Sequence, residues 1–279
     1  MAGKQGQLPM VEPCCVLVHG LDELASAVAR MLLLAGHAVA MHEPSPPAVL
    51  RRKMAFSDAW YDGAAVLDGV EARRADCDPD LLVGLRSGTY IPVLNHPRID
   101  VVGRWPWDVI VDARRAPEAK GKNRRSDAEL TIVLGPGAAA GSDCDLVIET
   151  AGPDPGAVIR SGRAKAESHF GGRCKYPIVA PTNGMFQTRR VIGEAIATGD
   201  LLGLVDEMPI LAAQSGRLRG LQRSPRSVRA GDAIAEIAER ATAQVSGIDR
   251  TDQLIARSVE FAIELEQQGS SFSLAGVRW

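Results

Sequence analysis

The chain has 279 residues, of which 46% are hydrophobic and 24% charged, enough to bury a sizeable core in one large or two moderate domains. A formal net charge of -2 gives no overall attraction to nucleic acid or to an anionic membrane, so neither is expected as a partner. Neither a secretory signal nor a run of roughly 18 apolar residues is present, which predicts a cytoplasmic protein. Five cysteines without CxxC spacing argue against disulfides and structural zinc.

The stretch VLVHGLDELASAVARMLLLAGHAVAMHE, residues 16 to 43, predicts a strand, a tight turn, a helix and a second strand, which is how a dinucleotide-binding unit begins. Gly20 and Ala25 fit the turn and the close packing of helix on strand. Asp22 stands where a second glycine would meet the pyrophosphate, and it is also a good helix N-cap. Glu43 stands where an acid binds a ribose hydroxyl. Two interpretations follow: either the chain still binds a nucleotide at this turn, or it has kept the fold and lost the ability to bind the ligand. The second is favoured.

A paired arginine follows the second predicted strand. Arg51 and Arg52 lie close downstream of the position that reads a ribose or a 2′-phosphate, and the fork of an arginine suits phosphate. A solvated helix face explains the pair equally well, so both interpretations stand.

Four further runs rich in Val, Ile and Leu predict strands that are covered on both faces, and therefore a mostly parallel sheet. Ligands of such sheets bind beyond the carboxyl ends of the strands, so the residues that follow each run are the candidate site. The runs are YIPVLNH (90–96), WDVIVDAR (107–114), LTIVLGPG (130–137) and DLVIET (145–150).

Three histidines, His19, His42 and His96, fall at predicted strand ends. If they converge, they could bind a transition metal or move protons. The favoured interpretation is that they are ordinary polar residues at strand ends, because no sequence spacing links them. Gly135 and Gly137 open a loop that either cradles an anion with its amides or forms a tight turn.

The segment from 177 to 238 has a different pattern, in which two similar halves each carry a Gly-Asp step before an apolar run, ATGDLLGLV and RAGDAIAEI. This repeat resembles the barrel-sandwich fold of biotinyl and lipoyl carrier domains, which attach their cofactor to a lysine on a hairpin. Here the hairpin reads VDEMPIL, with Pro209 at the lysine position. The segment is therefore expected to be a docking module without lipoyl or biotin.

The chain closes with a predicted amphipathic helix in GIDRTDQLIARSVEFAIELEQQ. Leu254, Val259, Ile263 and Leu265 approximate its apolar stripe, and Asp249 is a candidate cap. We expect the helix to pack either on the rest of the chain or on a partner subunit. In the second case the protein would be a homo-oligomer.

The sequence blocks as a set resemble the accessory proteins encoded with selenium-dependent molybdenum hydroxylases. The resemblance runs from about residue 15 to about residue 265 and implies a Rossmann-like domain and a role in maturing such a hydroxylase. The chain departs from the family at the turn between the first strand and the first helix, where the family has GAGDLA and this chain has GLDELA (residues 20–25). The matching blocks are RR…AFS…YDG (Arg51, Arg52, Phe56, Ser57, Asp62, Gly63), the second glycine loop and next strand (Gly135, Gly137, Asp143, Glu149, Thr150) and PTNGMF.

The expected fold is α/β: a Rossmann-like, mostly parallel sheet, then a small all-β barrel-sandwich hybrid domain and a C-terminal helix. The expected divisions are a flexible N-terminus (1–13), the α/β domain (14–175), the barrel-sandwich domain (176–240) and a helix with a tail (241–279).

The sequence is compatible with two functions. The favoured one is a non-catalytic maturation protein that binds a client enzyme or a cofactor precursor, a nucleotide or a molybdopterin-type ligand. The alternative is an NAD(P)-dependent oxidoreductase that works at the carboxyl edge of the sheet, with His96 as a proton donor.

Overall fold

A computed structural model describes residues 13–114, 125–165 and 177–274. It has a large sheet made mainly of parallel pairs, smaller antiparallel sheets and a C-terminal helix. No helix in the described ranges is long and apolar enough to cross a membrane. The helices are α1 (Glu23–Leu34), α2 (Ser57–Asp62), α3 (Asp78–Ser87), α4 (Arg98–Arg104) and α5 (Arg250–Leu274).

The large sheet has the order β10-β9-β7-β6-β1-β2-β5-β4-β3. Its inner pairs are parallel, and the edge strands β10 and β3 are antiparallel to their neighbours. The strands are β1 (Cys15–His19), β2 (Ala38–His42), β3 (Ala64–Leu67), β4 (Val70–Arg74), β5 (Ile91–Leu94), β6 (Val109–Asp112), β7 (Leu130–Leu134), β9 (Leu146–Ile148) and β10 (Val158–Ile159).

The prediction of a mostly parallel sheet is confirmed, and the four apolar runs form β5, β6, β7 and β9. After β1 and β2 the chain forms β3 and β4 at the outer edge, then places β5 between β2 and β4, and finally returns to place β6 on the other side of β1. The direction of winding therefore reverses between β1 and β6. In open α/β sheets the crevice at such a reversal, beyond the carboxyl ends of the strands, is where ligands bind.

Helix α1 begins as the sequence predicts. The Asp22 side chain accepts a hydrogen bond from the backbone N–H of Ala25 at 3.0 Å, and Gly36 follows the helix with a φ of +95°. Alternate residues of β1 face opposite layers: Val16 and Val18 pack in the core that contains α1, whereas Leu17 packs in the core that contains α3 and α4. The sheet is thus covered on both faces.

Helix α5 packs on α1 and completes the first of these cores. Val259 and Ile263 are buried as predicted, and Asp249 caps the helix by accepting from the N–H of Thr251 at 2.9 Å. The predicted stripe is wrong at Leu254 and Leu265, which are 47% and 39% exposed. The buried stripe is instead narrower and partly built from alanine: Ile255, Ala256, Val259, Ala262 and Ile263.

Two four-stranded antiparallel sheets follow and share one apolar core. We call them together the β unit. One has the order β12-β19-β17-β14 and the other β16-β15-β13-β18. Their strands are β12 (Ile178–Val179), β13 (Gly184–Gln187), β14 (Ala195–Ile196), β15 (Leu201–Val205), β16 (Met208–Leu211), β17 (Gly216–Leu221), β18 (Arg226–Val228) and β19 (Ala233–Ala238); a separate pair is β8 (Ala139–Ala140) with β11 (Gly162–Arg163).

The two Gly-Asp steps form equivalent turns at the start of β15 and β19. Asp200 accepts from the N–H of Ala197 at 3.1 Å, and Asp232 accepts from the N–H of Arg229 at 2.8 Å. The glycine before each aspartate has a positive φ, +88° at Gly199 and +90° at Gly231. The repeat seen in the sequence is therefore a repeat of local structure.

Candidate functional site

A buried polar row crosses the carboxyl edge of the sheet at the reversal point. His19, His42 and Asp112 end β1, β2 and β6, and they are lateral neighbours in the strand register. All three are at most 1% exposed. Register neighbours in a parallel sheet face the same side, and this side is the one that carries Leu17 and the helices α3 and α4. The sequence analysis named the two histidines at predicted strand ends, and the structure shows that Asp112 is aligned with them.

The two imidazoles are joined by a hydrogen bond of 2.9 Å between the Nδ1 atoms of His19 and His42. The Nε2 atom of His42 lies 2.8 Å from the backbone oxygen of His96, and a carbonyl can only accept, so this Nε2 carries the hydrogen. The Nδ1 of a neutral His42 is then the acceptor, and His19 donates from Nδ1. The Nε2 of His19 is left as a bare acceptor.

That Nε2 atom of His19 is buried and has no hydrogen-bond partner in the part of the chain that the structure describes. A buried polar atom without a partner is rare in a folded protein and is a reason to look for a ligand or an ordered water. The row therefore contains one unsatisfied acceptor, held in place by a fully bonded neighbour.

Both imidazoles are neutral at physiological pH. Burial lowers the pKa of His19 well below 6.5, and the neighbouring His42 and Arg114 lower that pKa further. Burial lowers the pKa of His42 to about 4. A general acid or base works best with a pKa near the operating pH. The pair is therefore suited to accepting hydrogen bonds and poorly suited to moving protons.

Charged groups surround the histidine pair. Asp112 accepts hydrogen bonds from Nε and Nη2 of Arg114 at 2.9 and 2.6 Å. This bidentate ion pair holds the guanidinium against the edge of the sheet. Burial raises the pKa of the nearby Glu43 carboxyl, and the negative charges of Asp22 and Asp112 raise it further. Charges of both signs therefore lie near the histidine pair: the carboxylates of Glu43 and Asp112, and the guanidinium groups of Arg114 and Arg98.

The turn between β1 and α1 is closed to bulky groups. Gly20 has a φ of +110° and donates from its backbone N–H to the oxygen of His42 at 2.9 Å. A Cβ atom at this position would lie 3.3 Å from the Cβ of Ala25 and 3.5 Å from the backbone nitrogen of Arg114. Gly20 and Ala25 therefore have the packing roles that the sequence predicted. The N–H of Ala25, which could otherwise bind a phosphate, is already hydrogen-bonded to the carboxylate of Asp22.

The third histidine does not join the pair through its ring. His96 is exposed, and it contributes its backbone oxygen to His42. No cluster of three or more histidine, cysteine, aspartate or glutamate side chains that could hold a metal ion occurs in the described ranges. The sequence-based candidates His19 and His42 converge, but His96 is not placed as a third ligand.

The second glycine loop is a turn whose amides are bonded at least in part within the chain. Gly135 has a φ of +74°, and a Cβ there would lie 2.5 Å from Oγ1 of Thr150; Gly137 has a φ of +116°. Asp143 accepts from the N–H of Ala139 at 2.9 Å. Glu149 accepts from the N–H groups of Thr150, Ala151 and Lys165 at 3.0, 3.2 and 2.8 Å. Within the loop the N–H of Ala139 is bonded to Asp143, and the N–H of Gly135 donates to the backbone oxygen of Ile148 at 2.7 Å. These two bonds fit the tight-turn interpretation, whereas the amides bonded to Glu149 lie outside the loop.

The paired arginines lie in the junction with the β unit. Arg51 is 2% exposed, and its Nε and Nη2 donate to Glu236 of β19 at 2.7 and 2.5 Å. Arg52 donates to Asp58 at 2.9 Å and to the oxygen of Leu221 at 3.1 Å. Arg51 therefore neither reaches the ribose end of the crevice nor lies on a solvated face, which corrects both expectations for it. Its partner is 185 residues away in the sequence, so no local pattern reveals it.

The rest of the RR…AFS…YDG block extends this junction. Arg223 donates to Asp62 at 2.6 Å, and Arg226 donates to the hydroxyl of Tyr61 at 2.5 Å. The backbone N–H of Leu221 donates to the oxygen of Leu50 at 2.9 Å. The block therefore fixes the β unit to the α/β layer through contacts between residues that are far apart in the sequence.

Comparison with known proteins gives one sequence relative of note. The chain is 33% identical over 262 residues to the uncharacterized protein YqeB of Escherichia coli K12, in an alignment that covers 91% of this chain and 48% of YqeB. The chain thus spans about half the length of this relative. No family model matches the sequence.

Two solved structures show weak similarity. A succinylglutamatedesuccinylase/aspartoacylase from Rhodobacter sphaeroides is 27% identical, with a TM-score of 0.21, over 23% of this chain and 22% of that chain. The ectoine utilization protein EutE (DoeB) from Ruegeria pomeroyi, in its apo form, is 11% identical, with a TM-score of 0.25, over 81% of this chain and 86% of that chain. Superpositions this weak carry no inference about fold or activity.

Proposed function

We propose that this protein is an accessory protein in the maturation of a molybdenum-dependent hydroxylase, and that it acts by binding a client enzyme or a cofactor precursor rather than by catalysis. The resemblance of its separate sequence blocks to that family supports the pathway. The strand order β9-β7-β6-β1-β2-β5, with the first strand in the centre, supports a Rossmann-like domain with a ligand crevice beside β1.

The single observation that carries binding over catalysis is the neutral histidine pair. Its pKa values lie below the range in which an imidazole exchanges protons at neutral pH. A nicotinamide-dependent oxidoreductase would also need a turn open to diphosphate, and Asp22 fills that position. The alternative function is therefore less well supported by this edge of the sheet.

The β unit is proposed to be a barrel-sandwich domain without a carrier function. Two antiparallel sheets around one core, with equivalent turns, support the comparison with biotinyl and lipoyl domains. Pro209 lies in β16 opposite Leu204, next to the two-residue turn of the hairpin. No lysine follows Lys175 in the sequence, so the β unit offers no side-chain amine for a cofactor. Its proposed role is contact with the client.

The proposed function is tested in a host that makes a molybdenum-dependent hydroxylase. Deleting the gene for this protein is expected to lower the hydroxylase activity, and the full-length chain is expected to restore it and to co-purify with the hydroxylase. Unchanged hydroxylase activity in the deletion strain, together with no capture of the enzyme, would contradict the proposal.

Substituting Asp22 tests the closed turn. Asp22→Gly removes both the carboxylate and its Cβ, and we expect NAD to bind ten to a hundred times more tightly, roughly 1.4 kcal/mol for each tenfold. Asp22→Asn is the matched control, because it keeps an oxygen that can cap α1 and removes only the charge. Isothermal titration of NAD into the three proteins measures the effect. Tight binding of NAD by the unaltered chain would contradict it.

A further inference from the structure

Helix α5 has a second apolar face besides the one that packs on α1. Leu254, Phe261 and Leu265 are 47%, 54% and 39% exposed. Intervals of seven and four residues place side chains on one line along a helix. The three residues therefore form a continuous ridge, which we call the outer stripe, and the described part of the chain leaves it exposed.

The edge of the large sheet enlarges this apolar surface. Val158 of β10 is 36% exposed, and it is the register neighbour of Ile148, which lies in the core that contains α5. Register neighbours face the same side of a sheet, so Val158 faces the layer of α5. Two residues earlier the chain approaches the helix closely, since a Cβ at Gly156 would lie 2.5 Å from Oγ of Ser258. Val158 therefore lies beside α5 and adds to the exposed apolar area there.

The form of this surface indicates what packs on it. Single exposed apolar side chains are normal in a folded protein, but a contiguous apolar patch marks an interaction site. A ridge at heptad spacing is the seam through which two helices pack side by side. The partner that fits the outer stripe is therefore another helix.

The charges beside the outer stripe match a second copy of α5. Arg257 and Glu264 are seven residues apart, so they flank the stripe on the same side. Their midpoint falls next to Phe261. An antiparallel copy, related by a two-fold axis at this point, brings Arg257 to Glu264 of the partner subunit and repeats the same pair on the other side of the axis. The same rotation stacks the two Phe261 rings and places Leu254 near Leu265 of the partner subunit.

A parallel copy does not fit in this way. At matching levels it would bring Arg257 near Arg257 of the partner subunit, and Glu264 near Glu264 of the partner subunit, and like charges opposed across an interface are unfavourable. The opposite signs of these two residues therefore favour the antiparallel arrangement.

We propose that the outer stripe of α5 is a homodimer interface, in which two α5 helices pack antiparallel about a two-fold axis at Phe261 and form two reciprocal ion pairs between Arg257 and Glu264. An interface of standard size takes about 800 Å² from each partner. The outer stripe supplies its apolar centre, and the charged pairs supply its polar rim. This inference does not depend on the proposed function, whose test measures the hydroxylase and not the association of the chain with itself.

The first test is the mass of the full-length chain in solution, measured by analytical ultracentrifugation from low micromolar to submillimolar concentration. A particle of twice the 29.7 kDa chain mass is expected at the upper end. Phe261→Glu places two carboxylates at the axis and should weaken the dimer at least about a hundredfold. Val83→Glu is the matched control, because Val83 is 57% exposed on α3, on the opposite face of the sheet, and its substitution should leave the dimer unchanged. Thermal melts of both variants verify folding.

The second test is charge reversal, which also reports the orientation of the helices. Arg257→Glu and Glu264→Arg, each alone, oppose like charges on both sides of the axis and should weaken the dimer about tenfold. The double variant exchanges the two charges and restores both pairs. Its dissociation constant should return to within about threefold of that of the unaltered chain.

A monomer at every concentration, or a dimer that Phe261→Glu leaves unchanged, would overturn the proposal. So would a double reversal that recovers nothing of what the single reversals lose. If the chain is monomeric and Phe261→Glu abolishes capture of the hydroxylase, the outer stripe binds the client, which refutes this inference and leaves the proposed function standing. A dimer with these properties in a chain that has no effect on the hydroxylase refutes only the proposed function.

Discussion

Replacing Glu236 with glutamine is expected to lower the free energy of unfolding by about 3 to 5 kcal/mol, the usual cost of removing one partner of a buried ion pair. The side chains of Arg51 and Glu236 are 3% and 6% exposed, and they make two hydrogen bonds across the junction with the β unit. Glutamine preserves the shape of the side chain but leaves the guanidinium buried without its counter-charge. Urea denaturation of the two proteins measures the difference.

Glu71→Gln is the matched control, because its partner Arg73 is 53% exposed and the pair lies at the surface. That substitution should change stability by less than about 1 kcal/mol. The double variant Arg51→Met with Glu236→Leu removes both charges and should recover most of the loss. An effect of Glu236→Gln no larger than that of Glu71→Gln would contradict the role assigned to the pair.

Stability is expected to fall steeply as the pH drops from 6.5 toward 4. Burial lowers the folded-state pKa of His42 from 6.5 to about 4 and also lowers that of His19. Between these values the unfolded chain binds more protons than the folded chain, so stability is present above pH 6.5 and is lost on acidification. The shift of His42 alone corresponds to about 3 kcal/mol.

The contribution of His42 is isolated by His42→Gln, which keeps a donor within reach of the His96 oxygen but does not titrate. Its unfolding free energy should depend less on pH between 6.5 and 4 than that of the unaltered chain. The same slope in the His42→Gln variant and the unaltered chain would contradict the argument.

Local signals in the sequence predicted much of this structure. Three features depend on residues that are close together in the chain: the turn at Gly20, the cap at Asp22 and the strands of the parallel sheet. Their sequence patterns are therefore local and can be recognised without the structure. The stripe on α5 was predicted less well, because Leu254 and Leu265 satisfy a helical period yet lie outside the face that meets α1. Which face of a helix is buried depends on its tertiary neighbour.

The candidate site was predicted only in part, for the same reason. Strand ends identified His19 and His42, but their hydrogen bond depends on the lateral register of β1 and β2. For Arg51 the sequence left a phosphate contact and a solvated face as equal alternatives, and neither includes its partner Glu236, which is distant in the sequence. Residues that act through long-range pairing carry no spacing signal, whereas residues at the end of a buried strand do.

The central claim is that the edge of the sheet presents a neutral histidine pair built to accept hydrogen bonds, and imidazole ¹⁵N nuclear magnetic resonance tests it most directly. The full-length chain at pH 7 is predicted to show His19 as the neutral tautomer protonated at Nδ1 and His42 as the neutral tautomer protonated at Nε2. On titration toward pH 5, His42 should remain neutral. A cationic His19 or His42 at pH 7, or a His19 ring protonated at Nε2, would contradict the account.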